Sequence, residues 1–111
     1  MELTQREEGD VTVITLTGRL TVNDKPGLLK GAVAAAVARG AKHVVLELSA
    51  VKYIDSTRLG ELIAAHVTLS RQGGRLSLAG VPARVAELLG MAGLDGVFSR
   101  YPTVGDAVRG N

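Results

Sequence analysis

Segments with the period of a β-strand and segments with the period of an α-helix follow one another along this chain, separated mostly by glycine. Residues 11–17 alternate with period two, which is typical of a β-strand, and with residues 3–8 they predict an opening hairpin. Residues 43–48 are mostly apolar, as in a strand buried on both faces. Strands alternating with helices predict an α/β domain with a mixed β-sheet, whose later strands run parallel.

Capping and turn residues predict where the other elements begin and end. Asp24 is expected to cap the first helix, with Pro26 in its first turn and Gly40 at its end. A second helix follows Asp55-Ser56. The remaining expected elements are a strand at 75–79, a helix from Pro82 to Gly93 with Ala92 facing inward, a short strand at 97–98 and a terminal helix at 103–109. About four helices therefore flank the sheet, whose strand order the pattern leaves open.

The composition limits the class of protein. The 111 residues are 46% hydrophobic and 22% charged, which is typical of one globular domain spanning residues 1–111. The chain has no cysteine, so disulfides and thiolate metal sites are excluded. The longest apolar run, residues 32–38, is far shorter than the roughly 20 residues of a membrane span. The acidic N-terminus is unlike a signal peptide, so we expect a cytoplasmic protein without membrane insertion.

The distribution of charge argues against nucleic-acid binding. The net charge is +2, and the thirteen basic residues are scattered along the chain. The aromatic residues Tyr53, Phe98 and Tyr101 lie in no basic run. Proteins that bind nucleic acid concentrate cations on one face, often with aromatic side chains for stacking. We therefore expect a solvated surface and no nucleic-acid partner.

No catalytic or cofactor site is predicted. Ser56 is separated from His66 by about 15 Å along one helix, and from His43 by roughly 20 Å along a strand. Neither histidine is therefore expected to act as its base, and His66 is expected to be packed on an apolar stripe. The chain lacks a phosphate-binding glycine motif and a cluster of carboxylates. We expect no enzyme activity, no cofactor and no metal.

The segment from Val51 to Gly60 is the strongest candidate site. It joins the most apolar strand to an amphipathic helix, at the sheet edge where ligands of α/β proteins commonly bind. Asp55, Ser56 and Thr57 are all able to cap that helix. Spacing alone leaves two interpretations open, a cap and a phosphorylation site. A phosphate on a hydroxyl here would meet the positive end of the helix dipole without disturbing the core.

The same segment resembles the bacterial anti-sigma factor antagonists, small single-domain members of the STAS family. Their motif runs Asp-Ser-Ser/Thr-Gly-Leu-Gly, and the chain matches five of its six positions at Asp55-Ser56-Thr57-Arg58-Leu59-Gly60. The resemblance extends to other segments, which are Gly18-Arg19-Leu20, residues 74–81, Leu88-Leu89, Gly93-Leu94-Asp95 and Phe98.

The resemblance implies a single STAS-like domain with a partner-switching role. Members bind an anti-sigma factor that is also a serine/threonine kinase, and thereby free the sigma factor. The kinase then phosphorylates the serine after the aspartate, here Ser56, and a PP2C-type phosphatase reverses the modification. The implied partner-binding residues are Asp55, Ser56, Thr57, Arg58, Leu59, Gly60 and Thr21.

Two positions depart from the family pattern. Arg58 stands where the family has glycine, and Thr21 where many members have an acidic residue. We expect both to be exposed, so that Arg58→Gly leaves stability almost unchanged, with the arginine either folding over a phosphate at Ser56 or touching nothing. The alternative function is a non-switching STAS scaffold of a signalling assembly, or an accessory subunit of a lipid-transport ATPase. The oligomeric state is left open.

Overall fold

A computed structural model describes residues 2–20 and 27–110 of the chain. The expected cap Asp24, the first-turn Pro26 and the candidate Thr21 lie outside these residues. The described elements are β1 (Glu2–Glu8), β2 (Val11–Leu20), α1 (Leu28–Ala38), β3 (His43–Ile54), α2 (Ser56–Arg71), β4 (Arg75–Ala79), α3 (Ala83–Met91), β5 (Ser99–Tyr101) and α4 (Val104–Arg109).

The strands form one mixed sheet in the order β1-β2-β3-β4-β5. β1 pairs with β2 in antiparallel orientation, and all later pairs are parallel, which confirms the predicted α/β class. Each parallel connection moves one strand further in the same direction. Because such crossovers are almost always right-handed, their helices lie on one face of the sheet.

The main core lies between that face and the helices α1, α2 and α3. The side chains that β2, β3 and β4 contribute to it include Ile14, Leu46 and Leu78, all fully buried. The opposite face of the same strands is covered by α4, where Val13, Val45 and Ala79 pack around Ala107. The central strands are thus buried on both faces, which explains the nearly continuous apolar sequence of β3.

Several predicted boundaries were wrong. α1 begins at Leu28 with Gly27 as its N-cap, later than the expected start at Asp24. β3 continues to Ile54, beyond the expected end at residue 48. Its second half pairs with the end of β2, although its sequence lacks the apolar pattern that would have predicted a strand. The last strand is Ser99–Tyr101 instead of 97–98, since Phe98 turns into the main core, and Ala92 is exposed.

A buried polar pair lies on the α4 face of the sheet. His43, which is 8% exposed, places its Nε2 2.9 Å from the Oγ of Ser77 on the neighbouring strand. Burial of the ring lowers the pKa of His43 below its ordinary value, and the nearby positive charge of Arg75 lowers it further. The imidazole is therefore neutral in the folded protein at neutral pH.

This lowered pKa predicts a loss of stability in mild acid. Near pH 6.5 the unfolded chain takes up a proton at His43 that the folded chain does not, so the free energy of unfolding falls as the pH decreases through this value. His43→Gln should flatten that decline, because the glutamine amide can still hydrogen-bond to Ser77 but does not take up a proton. Urea unfolding at about pH 7.5, 6.5 and 5.5 measures it. Equal slopes for the two proteins would show that His43 does not contribute.

Candidate functional site

The end of the sheet determines where the candidate segment begins. The last residues of β2 and β3 lie side by side, with Leu20 opposite Ile54. The backbone N–H of Asp55 then donates to the carbonyl of Leu20 at 3.0 Å, which extends the pairing by one residue. Helix α2 begins at the next residue, Ser56, as the sequence predicts.

Asp55 is the N-cap of α2. Its backbone is extended, with φ −92° and ψ 174°, and its Oδ1 accepts the backbone N–H of Arg58 at 2.9 Å. This bond satisfies one of the N–H groups that a helix start leaves without an intrahelical acceptor. Of the three possible caps in the sequence, the carboxylate therefore takes the role, and the exposed hydroxyls of Ser56 and Thr57 are not needed for it.

The exposed Ser56 occupies the first position of α2. The first turn of α2 contains no acidic residue, so the carboxylate that the helix itself places at the positive end of its dipole is that of the cap, Asp55. A phosphate on this hydroxyl would lie beside free backbone N–H groups, which favours the dianion. The geometry thus suits a modifiable serine on a helix that is already capped.

Arg58 is buried, which contradicts the expectation that it is exposed. Its side chain is 1% exposed, and its Nη1 donates to both carboxylate oxygens of Glu61, at 2.8 and 2.9 Å. A guanidinium held in this way is turned away from solvent, so it is not placed to fold over a phosphate at Ser56.

A sequence signal for this burial was present. Arg58 is spaced from the buried residues Leu62, Ala65 and Leu69 by four, seven and eleven positions, which places all four on one helical face. The charge of Arg58, which favours solvent, leads to the opposite expectation of an exposed side chain. The ion pair with Glu61 is what makes its burial tolerable.

The six motif residues divide into two groups. Ser56, Thr57 and Gly60 are exposed on α2, and Asp55 is partly buried as the cap. Arg58 and Leu59 are buried and contribute to packing rather than to the surface.

A groove of about 280 Å³ between α1 and α2 continues the exposed surface of the motif. Thr57 and Gly60 lie on its wall, together with Ala64 further along α2. Val33 and Ala34 line it from α1. The exposed serine therefore lies next to a mostly apolar groove, an arrangement that a protein surface could fit.

Neither histidine is a base for Ser56. His43 bonds to Ser77, and the ring of His66 packs edge-on against Phe98 with centroids 5.6 Å apart, as expected for a packed histidine. Within residues 2–20 and 27–110, no group of His, Asp and Glu side chains is arranged to hold a metal ion. No described helix is both long and apolar enough to cross a membrane.

Two arginine guanidinium groups lie near the ring of Tyr53, a cluster that the sequence pattern did not predict. The guanidinium carbon of Arg19 is 4.8 Å from the ring centroid, and that of Arg84 is 5.9 Å away. Tyr53 lies in no basic run of the sequence, yet the fold brings it beside two arginines. No local pattern could have found the cluster, because its members come from β2, β3 and α3.

Comparisons with known proteins agree with the fold. The family model described as "Mlab, STAS domain" matches residues 3–101. An anti-sigma F factor antagonist of Paenibacillus polymyxa is 24% identical over 101 residues, which are 91% of this chain and 86% of that protein.

Two solved structures illustrate the likeness. An anti-sigma factor antagonist from Mycobacterium paratuberculosis is similar with a TM-score of 0.86 and 27% identity, covering 98% of this chain and 92% of that one. The Bacillus cell fate determinant SpoIIAA in its phosphorylated form has a TM-score of 0.77 at 18% identity, covering 97% of each chain. The second likeness shows the fold alone.

The buried pair predicts that Arg58→Gly destabilises the protein. Removing one partner of a buried ion pair costs about 3–5 kcal/mol, and we expect the lower end because Glu61 is 18% exposed. Chemical denaturation of Arg58→Gly and Arg58→Met, each with and without Glu61→Gln, measures the loss. Arg58→Met should lose less because it fills the volume, and Glu61→Gln should rescue part of it. An unchanged free energy of unfolding in Arg58→Gly would contradict the role of the pair.

Proposed function

We propose, since the chain belongs to the STAS domain family, that it is an anti-sigma factor antagonist that phosphorylation of Ser56 switches off. In the unmodified state it binds an anti-sigma factor, which releases the sigma factor. In the phosphorylated state it no longer binds. The observation that carries the proposal is the placement of Ser56, which is exposed at the start of a helix that Asp55 has already capped.

The division of labour within the motif supports this role. Asp55 fixes the helix start, and Arg58 and Leu59 anchor it in the protein interior. Ser56 is left with no structural duty that a phosphate would disrupt. Modification therefore changes the charge of a surface by about −1.5 to −2 while the fold persists. A binding switch requires that combination.

The surface around Ser56 supports a protein partner. Thr57 and Gly60 are exposed next to it, and the groove between α1 and α2 begins at these residues. We infer that the anti-sigma factor contacts this surface, with Thr21 also at the interface. The chain itself supplies no catalytic group to the switch.

The proposed cycle needs two enzymes. The anti-sigma factor, acting as a serine/threonine kinase, transfers phosphate to Ser56, and a PP2C-type phosphatase removes it. The cycle takes place in the cytoplasm.

A second candidate is a non-switching STAS subunit that binds its partner constitutively through the same surface. Such a subunit could be a scaffold of a signalling assembly or an accessory subunit of a lipid-transport ATPase. Arg58 favours it, because this residue replaces the glycine of the antagonist motif two positions after the modified serine. Its burial limits the weight of the argument, since a buried side chain does not obstruct a kinase at the surface.

Phosphorylation should occur at Ser56 and not at Thr57. Both hydroxyls are exposed, but only Ser56 directly follows the capping aspartate. Incubation with the cognate anti-sigma factor and ATP, followed by tandem mass spectrometry, identifies the modified residue. Ser56→Ala should abolish incorporation and Thr57→Ala should retain it. Phosphate on Thr57 alone would refute the assignment.

Ser56→Asp and Ser56→Ala should separate binding from folding. Both should change stability by no more than about 1 kcal/mol, because Asp55 remains the cap. Ser56→Asp should weaken binding to the anti-sigma factor by roughly tenfold or more, and Ser56→Ala should bind as the unmodified protein does. Titration calorimetry measures both affinities. Equal affinities would favour the non-switching subunit.

A further inference from the structure

Arg19, Tyr53 and Arg84 form an exposed cluster, here called the arginine–tyrosine patch. The tyrosine ring is partly buried, and both arginines are exposed. Their guanidinium carbons lie 4.8 and 5.9 Å from the ring centroid, within the range of a cation–π interaction. One ring thus orders two flexible cationic side chains.

No acidic residue in the described part of the chain forms an ion pair with either cation of the patch. Among the described residues, ion pairs join Arg6 to Glu8, Arg58 to Glu61, Arg100 to Asp95 and Arg109 to Asp106, and none involves Arg19 or Arg84. Lys52, adjacent to Tyr53, is also exposed. The fold therefore places two exposed guanidinium groups at one aromatic ring, with no described carboxylate paired to either of them.

The patch lies at the same edge of the sheet as the candidate phosphorylation site. Arg19 lies opposite Tyr53 in the pairing of β2 with β3, and Tyr53 precedes Ser56 by three residues. Arg84 belongs to the first turn of α3, where no acidic residue is present. The cluster and the serine thus share the sheet edge at which the parallel strands end.

We propose that the arginine–tyrosine patch binds an acidic segment of the protein partner. A guanidinium binds a carboxylate through two parallel hydrogen bonds, and an arginine already stacked on a ring loses less freedom when it does so. The patch is too small for nucleic acid, which engages about 6–10 phosphates along an extended basic track. Identification of that partner as the anti-sigma factor rests on the proposed function.

The same placement explains how a phosphate at Ser56 releases the partner. The phosphate adds about −1.5 to −2 charges at the same edge of the sheet as the two guanidinium groups. It lowers the positive potential that attracts the acidic segment. The patch is thus the surface whose electrostatic potential changes when Ser56 is phosphorylated.

A titration of the full chain followed by backbone amide NMR tests the patch without the natural partner. Hexaglutamate is the probe, hexalysine the charge control, and a twelve-nucleotide poly-dT the nucleic-acid control. Hexaglutamate should shift the amides of Arg19, Tyr53 and Arg84. Its binding should weaken several-fold between about 50 and 300 mM NaCl. Arg19→Glu and Arg84→Glu should each reduce the affinity roughly fivefold or more, whereas Arg39→Glu, an exposed arginine at the far end of α1, should leave it within about twofold.

Three outcomes would overturn the proposal. The first is that amide shifts are absent or confined to other regions. The second is that Arg39→Glu loses as much affinity for hexaglutamate as Arg19→Glu and Arg84→Glu do. The third is that poly-dT binds more tightly than hexaglutamate, which would instead indicate a nucleic-acid surface. The failure of the proposed function looks different. In that case hexaglutamate binds the patch, but Ser56 accepts no phosphate from an anti-sigma factor. Conversely, suppose that Ser56 accepts phosphate while Arg19→Glu and Arg84→Glu bind the anti-sigma factor normally. That result would refute the role of the patch and leave the proposed function standing.

Discussion

Asp55 connects the sheet to the helix that carries the site. Its backbone N–H continues the pairing of β2 with β3 through the carbonyl of Leu20, while its carboxylate caps α2 by accepting the N–H of Arg58. One residue therefore fixes both the position and the start of the helix. The outward placement of Ser56 and the inward placement of Arg58 follow from that start, because neighbouring positions on a helix face different directions.

The burial of Arg58 separates the structural part of the motif from its exposed surface. With its guanidinium held by Glu61, Arg58 belongs to the framework under the surface rather than to the surface itself. Exposed positive charges at this edge of the sheet include those of Arg19 and Arg84, which belong to β2 and α3. A rigid helix start with cations beside it is suited to a switch that acts through charge.

Local patterns predicted much of this arrangement. The apolar sequence of β3 and the cap residues before α2 are signals that act within a few residues, so the class of fold and the start at Ser56 were predictable. The order of the strands, the extension of β3 to Ile54 and the stacking of Arg19 on Tyr53 depend on pairing between distant segments. The burial of Arg58 lay between these cases, because its helical spacing indicated the core while its charge suggested solvent.

The central claim is that phosphate acts on the charge of a preformed surface and leaves the helix start intact. Hydrogen exchange at the amides of Arg58 and Leu59 tests it most directly, since these groups donate to the carboxylate and the carbonyl of Asp55. In the Ser56-phosphorylated protein both amides should keep their protection within about threefold of the unmodified value. A loss of protection of roughly tenfold or more, about 1.4 kcal/mol, would instead show that phosphorylation works by unfolding the first turn of α2.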